Sequence, residues 1–253
     1  MKSSERMNKK LIVVLNLVVL AATIYWNYYS NTGAINNNTM GSLSDKYANL
    51  FTPSGYAFSI WGIIYVSLIG NAIYLIRNWA AEISATQAMW LSITNLLNCV
   101  WIYVWLMEYT GLSVLVMMLI LISLTSLINK VQIGQEKRPL WVWWPISIYF
   151  GWIVVALVAN VSAYLAKVNW NALFSEPTWA VLMVLIATSL YLILLIKRHL
   201  SYSAYVGVWA LTAIAYKQWA SEEIIAYVAV FAGATIFIVT IWKDYQFRNK
   251  GLY

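Results

Sequence analysis

Two kinds of side chain recur at helical spacing in this chain and could do chemistry: aromatic rings and amides. Trp61 and Tyr65 stand four residues apart, as do Trp101 and Trp105, so each pair shares one face of a helix. Trp144, Tyr149 and Trp152 follow along a third segment. Rings gathered in this way can wall a cavity for a flat, apolar ligand. Packing between helices, or against lipid, is the plainer reading of the same rings. Five asparagines, Asn16, Asn71, Asn95, Asn98 and Asn160, fall inside apolar runs. An amide in hydrocarbon is costly unless bonded, so each must face another helix, water or a ligand. Hydrogen bonding between helices accounts for such amides most simply, and a ligand anchor is the sharper alternative.

Conventional catalytic groups are scarce. Cys99 and His199 are the only residues of their types. No intramolecular disulfide can form, and neither a Ser-His-Asp triad nor a Cys/His metal site is assigned. Cys99 lies in an apolar run and reads as a small hydrophobe. The apolar runs contain no Asp, Glu, Lys or Arg, which argues against a proton relay or an ion pump. Lys217 ends its run rather than occupying the middle, so it is a poor retinal lysine.

The elements that position these groups are membrane spans. The chain is 62% hydrophobic and only 10% charged, against about 25% charged in soluble domains. Eight uncharged apolar segments are long enough to cross a bilayer: 11–28, 56–76, 88–107, 112–129, 140–165, 178–196, 200–216 and 224–242. The seventh is the weakest, being short and carrying Ser201, Ser203 and Thr212. Pro145 lies in the first turns of the fifth, where it gives at most a mild kink. Thirteen of the sixteen Lys and Arg then fall in the termini and alternate loops of one side, leaving Lys46, Lys167 and Lys217 on the other. That bias predicts an integral membrane protein of a bacterial plasma membrane, with both termini cytoplasmic. It also explains the net charge of +7 without nucleic acid. The N-terminal run has no small-residue cleavage site and reads as a retained helix. Tyr25, Trp26, Trp79, Trp141, Trp219 and Trp242 sit near span ends, as an interfacial belt requires. The one long external loop, about 29–55, carries Asn36-Asn37-Asn38 as a polar turn region, and Pro53 just precedes the second span.

Three motifs resemble those of the TspO/MBR family, the translocator or tryptophan-rich sensory proteins. Pro53, Tyr56, Trp61 and Tyr65, with Phe58 nearby, follow its loop and second helix. Leu97-Asn98-Cys99-Val100-Trp101 matches the Leu-Asn-x-x-Trp of its third helix. Tyr149-Phe150-Gly151-Trp152, then Ala156 and Asn160, match its fifth. The motifs lie in the right order over about residues 8–170, the family's five-helix unit. Phe51-Thr52-Pro53-Ser54-Gly55 stands where the family has a Pro-Trp-x-Pro-Pro stretch. The resemblance implies an all-α polytopic bundle: a five-helix unit over 1–170, then three further spans and a tail over 171–253. It implies a pocket for a porphyrin, another tetrapyrrole or a sterol, lined by Tyr56, Trp61, Tyr65, Asn98, Trp101, Trp152, Ala156 and Asn160. Trp61 and Trp152 are the expected stacking walls, Asn98 a polar anchor, Ala156 the residue that makes room, and Asn160 a bridge between helices. No cofactor is expected beyond a tetrapyrrole as ligand, and a homodimer is an arrangement known in the family.

Three functions follow. The first is a membrane sensor or carrier that binds a planar apolar molecule. The second is a transporter or scaffold for a small hydrophobic solute, for which the three added spans would shape a path or a partner surface. The third is porphyrin degradation, which here would have to run through Trp redox or photochemistry with oxygen.

Overall fold

With no water to satisfy its peptide groups, a chain in hydrocarbon must close its hydrogen bonds within helices. The computed structural model describes residues 2–135, 138–170 and 174–249, and among these the regular elements are helices. Lys137 and Lys250, counted in the charge bias, lie outside the described residues, as does the start of the second unit at residue 171. The helices are α1 (Lys2–Ser30), α2 (Met40–Lys46), α3 (Ile60–Arg77), α4 (Glu82–Leu106), α5 (Thr110–Val131), α6 (Leu140–Lys167), α7 (Glu176–Arg198), α8 (Ser201–Gln218) and α9 (Glu223–Asn249). A 3-10 turn, Gly55–Ser59, leads into α3. The protein is thus a polytopic helical bundle.

Seven of these helices are long and apolar enough to cross a membrane. The one full-length exception is α8, the segment whose serines made it the weakest span in the sequence. Its contacts nevertheless carry it from one end of the bundle to the other. Near its start, Ser203 Oγ donates to the Ser147 carbonyl in the second turn of α6 (2.6 Å). Near its end, the Ala213 carbonyl accepts from Ser54 N–H, just before α3 (3.1 Å). The start of α6 also meets the last turns of α3, because Asn71 bonds to Trp141. So α8 runs antiparallel to α3 through the same layer. Its low hydropathy reflects polar and small residues that are buried: Ser201, Ser203, Ala204, Gly207 and Ala210 all face protein rather than lipid.

The basic loops gather at one end. The α5–α6 loop meets the α7–α8 loop, where His199 Nδ1 lies 2.7 Å from the Gly134 carbonyl. Tyr205 of α8 donates to Asp244 of α9 at the same end (2.9 Å). At the opposite end, Lys46 and Lys167 converge on Glu108, and Lys217 faces Asp45 at 3.7 Å.

Helix α6 is the axis of the bundle and is buried without interruption from Pro145 to Ala156. Pro145 has no N–H, so the Trp141 carbonyl lacks its usual partner four residues on. Asn71 of α3 supplies that donor, its Nδ2 reaching the Trp141 oxygen at 2.6 Å. Gln87 of α4 donates to the next carbonyl, Val142, at 3.0 Å. Two of the intramembrane amides noted in the sequence are thereby structural, since Asn16 also bonds across helices, to Ala88 and Ser92 of α4 (both 3.2 Å). Asn71→Leu should cost about 1–3 kcal/mol, because it strands a buried carbonyl. Pro145→Ala restores the missing N–H and should recover most of that loss. A double-mutant cycle in thermal unfolding checks this, and purely additive effects would sink the explanation.

Candidate ligand-binding site

Three helices bring four indoles to one slot. Trp61 comes from α3, Trp101 with Trp105 from α4, and Trp152 from α6. Along α6 the lining recurs as Trp152, Val155, Ala156, Ala159, Asn160 and Ala163, one helical stripe whose small residues leave the space open. The slot is narrow, with a cavity volume of about 50 Å³, room for little more than water. Phe58 closes one side, its ring 6.0 Å from that of Trp152 and edge-on to it. Trp101 and Trp105 stack at 6.4 Å, and Trp61 stacks on Tyr65 at 5.5 Å.

Trp101 cannot offer its N–H to a ligand, because that group donates to Asn160 Oδ1 at 3.1 Å. The same oxygen accepts from Ser113 Oγ at 2.8 Å, so Asn160 ties α4, α5 and α6 together beneath the slot wall. One helical turn further into the bundle lie Tyr65, Asn98 and Tyr149. Tyr149 packs edge-on against Trp61 at 5.7 Å. Asn98 is fully buried, and both its Nδ2 and Oδ1 lack a partner, as does the Tyr65 hydroxyl. One side-chain oxygen each of Asn71, Gln87 and Asn95 is likewise unpaired, and the Tyr149 hydroxyl is the polar group beside Asn98.

Of the eight residues singled out in the sequence, the structure brings Trp61, Trp101, Trp152, Ala156 and Asn160 to the slot, with Tyr65 and Asn98 one layer below. It does not bring Tyr56 there. Tyr56 turns outward and packs edge-on against Trp209 (5.2 Å) and Tyr216 (5.8 Å) of α8. The spacing already forbids it: five residues before Trp61, Tyr56 would lie about 140° away even on a continuous α-helix, and the 3-10 turn that carries it leaves it facing α8.

The external loop covers the mouth with Met40, Ser44, Tyr47, Thr52 and Pro53, of which only Pro53 belongs to the matched motifs. Helix α2 seats Leu43 in the core and is otherwise held by polar bonds. Asn36 and Asn38 donate to the Leu106 carbonyl (3.1 and 3.2 Å), capping the end of α4. Asn36 and Asn37 adopt left-handed backbone, which asparagine tolerates. Glu108 then takes three donors: Lys46 Nζ at 2.6 Å, the Tyr47 hydroxyl, and Asn38 Nδ2 at 3.4 Å. Lys167 donates to the Glu108 carbonyl.

Hydrogen bonds from Lys46 and Tyr47 hold the Glu108 carboxyl below its ordinary range, and burial together with Glu108 pushes the Tyr47 phenol up. A depressed carboxylate stabilises the folded loop above its unfolded pKa and loses that effect as pH falls through the folded value. Protection of the amides of residues 40–47, taken relative to the intrinsic exchange rate at each pH, should therefore be high at neutral pH and drop only in acid, below the ordinary glutamate range. Glu108→Gln should show the low protection at pH 7, and equal protection in both proteins would rule out Glu108 as the fastening.

A bundle of long apolar helices with an aromatic slot between three of them, capped by a polar loop, is a polytopic membrane protein. The chain belongs to the family of TSPO-like proteins, whose family model matches residues 13–242. That match takes in α7, α8 and most of α9 as well as the first five passes. Comparisons with curated proteins and with solved structures returned no match.

Proposed function

We propose that this protein binds a planar, apolar molecule of the tetrapyrrole class in the slot between α3, α4 and α6, acting as a membrane sensor or carrier. The observation that carries the reading is the convergence of Trp61, Trp101 and Trp152 around Ala156, with an unpartnered Asn98 one layer deeper. Indole faces offer stacking area to a flat ring system. A stranded amide offers both a donor and an acceptor to the ligand's polar edge, and satisfying it recovers the cost of burying it unpaired. The narrow slot accepts a flat molecule only if the rings part, and the loop over its mouth is fastened by polar bonds that can open and reform. The charge bias supports termini on the cytoplasmic face, which places the mouth on the far side.

Titrating the purified protein in detergent with protoporphyrin IX tests the reading through Trp fluorescence. Saturable quenching is the expected result. Linear quenching that never saturates would mean partition into micelles and would overturn it.

A further inference from the structure

We propose that α8 clamps the mouth of the slot from outside, and that Trp209 is the positioning residue through which the last three helices set the slot's width. The proposal rests on the binding reading above. Three contacts run in antiparallel register between the mouth segment and one face of α8. Asp45 faces Lys217 at 3.7 Å. Ser54 N–H donates to the Ala213 carbonyl at 3.1 Å. The indole Nε1–H of Trp209 donates to the Ala57 carbonyl at 3.2 Å. Positions 209, 213 and 217 are four residues apart, so they form one stripe along the helix.

The clamp reaches the slot through the 3-10 turn. Tyr56 is wedged between the rings of Trp209 and Tyr216. Two residues along a 3-10 turn point about 120° apart. With Tyr56 held outward on α8, Phe58 is turned inward, where its ring meets the edge of Trp152 at 6.0 Å. The gap that a flat ligand must fill is therefore bounded on one side by a ring whose position α8 dictates. Phe51 and Ala57 seat the segment in the core, while Ser54, the N-cap of the turn, makes no side-chain cap bond and is tied to α8 by its N–H bond to Ala213. Trp209 itself lies outside the slot and is more than one-third exposed at 37%, so changing it leaves the core intact.

Two variants of the full chain in detergent test the clamp. Trp209→Phe keeps a ring against Tyr56 and removes the N–H donor, whereas Trp209→Ala removes both. Losing one such bond should raise amide exchange over residues 54–60 about five- to tenfold, with no change elsewhere in α3, α6 or α8. The alanine variant should show a larger rise. The Kd for protoporphyrin IX should rise in step, by about the same factor for Trp209→Phe, while Tm falls by only about 2–4 °C. Unchanged exchange over 54–60 would overturn the clamp. Faster exchange with an unchanged Kd would overturn its control of the slot. If the wild type shows no saturable quenching, the binding reading fails and takes the control of slot width with it, while the exchange measurement still decides whether α8 holds the turn.

Discussion

Trp152→Ala is expected to weaken protoporphyrin IX binding about thirtyfold or more. Trp152 is buried at the centre of the slot, where it meets Phe58 edge-on and forms one wall of the gap. A central aromatic anchor of this kind typically costs 2 kcal/mol or more when truncated, and each 1.4 kcal/mol is tenfold in Kd. The alanine also leaves a hole that the ligand cannot fill snugly. Ala156→Phe attacks the same space from the opposite direction, since it keeps every tryptophan but puts a ring into the gap one helical turn along α6. Trp152→Ala should move the saturable phase of Trp quenching to correspondingly higher ligand concentration, and Ala156→Phe should abolish it. A Trp152→Ala protein that binds as tightly as wild type would remove the slot from consideration. If Ala156→Phe alone leaves binding intact, the ligand lies on the other side of Trp152.

Much of this site was legible in the sequence because α-helical periodicity is simple inside a membrane. Trp152, Ala156 and Asn160 recur every four residues, and no break in α6 disturbs their shared face. Asn160 proved readable as a bridge for the same reason: an amide in a buried stripe must find partners, and Trp101 and Ser113 are those partners. Tyr56 came from the family motif and not from spacing, since five residues before Trp61 it lies about 140° away on an α-helix, and the 3-10 turn leaves it facing α8. The role of Asn71 was half legible. Pro145 implies a stranded carbonyl at Trp141 by counting back four residues, but which helix supplies the donor depends on the fold. Gly70 is the complement to this, since a Cβ there would come within 2.2 Å of the Trp141 ring. The mouth was the least legible part. Glu108 and Lys46 are 62 residues apart, and ion pairs at that separation leave no local pattern. Trp209 looked like one more tryptophan in a weak span, and only the path of α8 across the bundle gives its N–H a purpose.

Gly151→Val should destabilise the bundle by about 3 kcal/mol or more, and the loss should come from the seam between the two parts of the chain. A Cβ at Gly151 would sit 2.7 Å from Ser203 Cα and 2.9 Å from its carbonyl oxygen. Those are backbone atoms of α8 and cannot swing aside as a side chain would, so the helices must move apart. Three further contacts depend on their closeness. Tyr191 of α7 donates to the Gly151 carbonyl at 2.7 Å, its ring packs over Gly207 of α8, and Ser203 bonds to Ser147. All of these groups are buried, so separation leaves polar atoms unpaired as well as opening voids. Gly62→Val is the matched control: it is also helical, but a Cβ there meets nothing within 4 Å, so only the small helix-propensity difference remains. Thermal unfolding in detergent should therefore drop sharply for Gly151→Val and hardly at all for Gly62→Val, and equal shifts would show that the α6–α8 contact is looser than these distances require. Because α8 also carries Trp209 and Ala213, the same displacement should reach the mouth. Gly151→Val protein that is still folded at low temperature should bind protoporphyrin IX more weakly than wild type, although residue 151 itself does not line the slot.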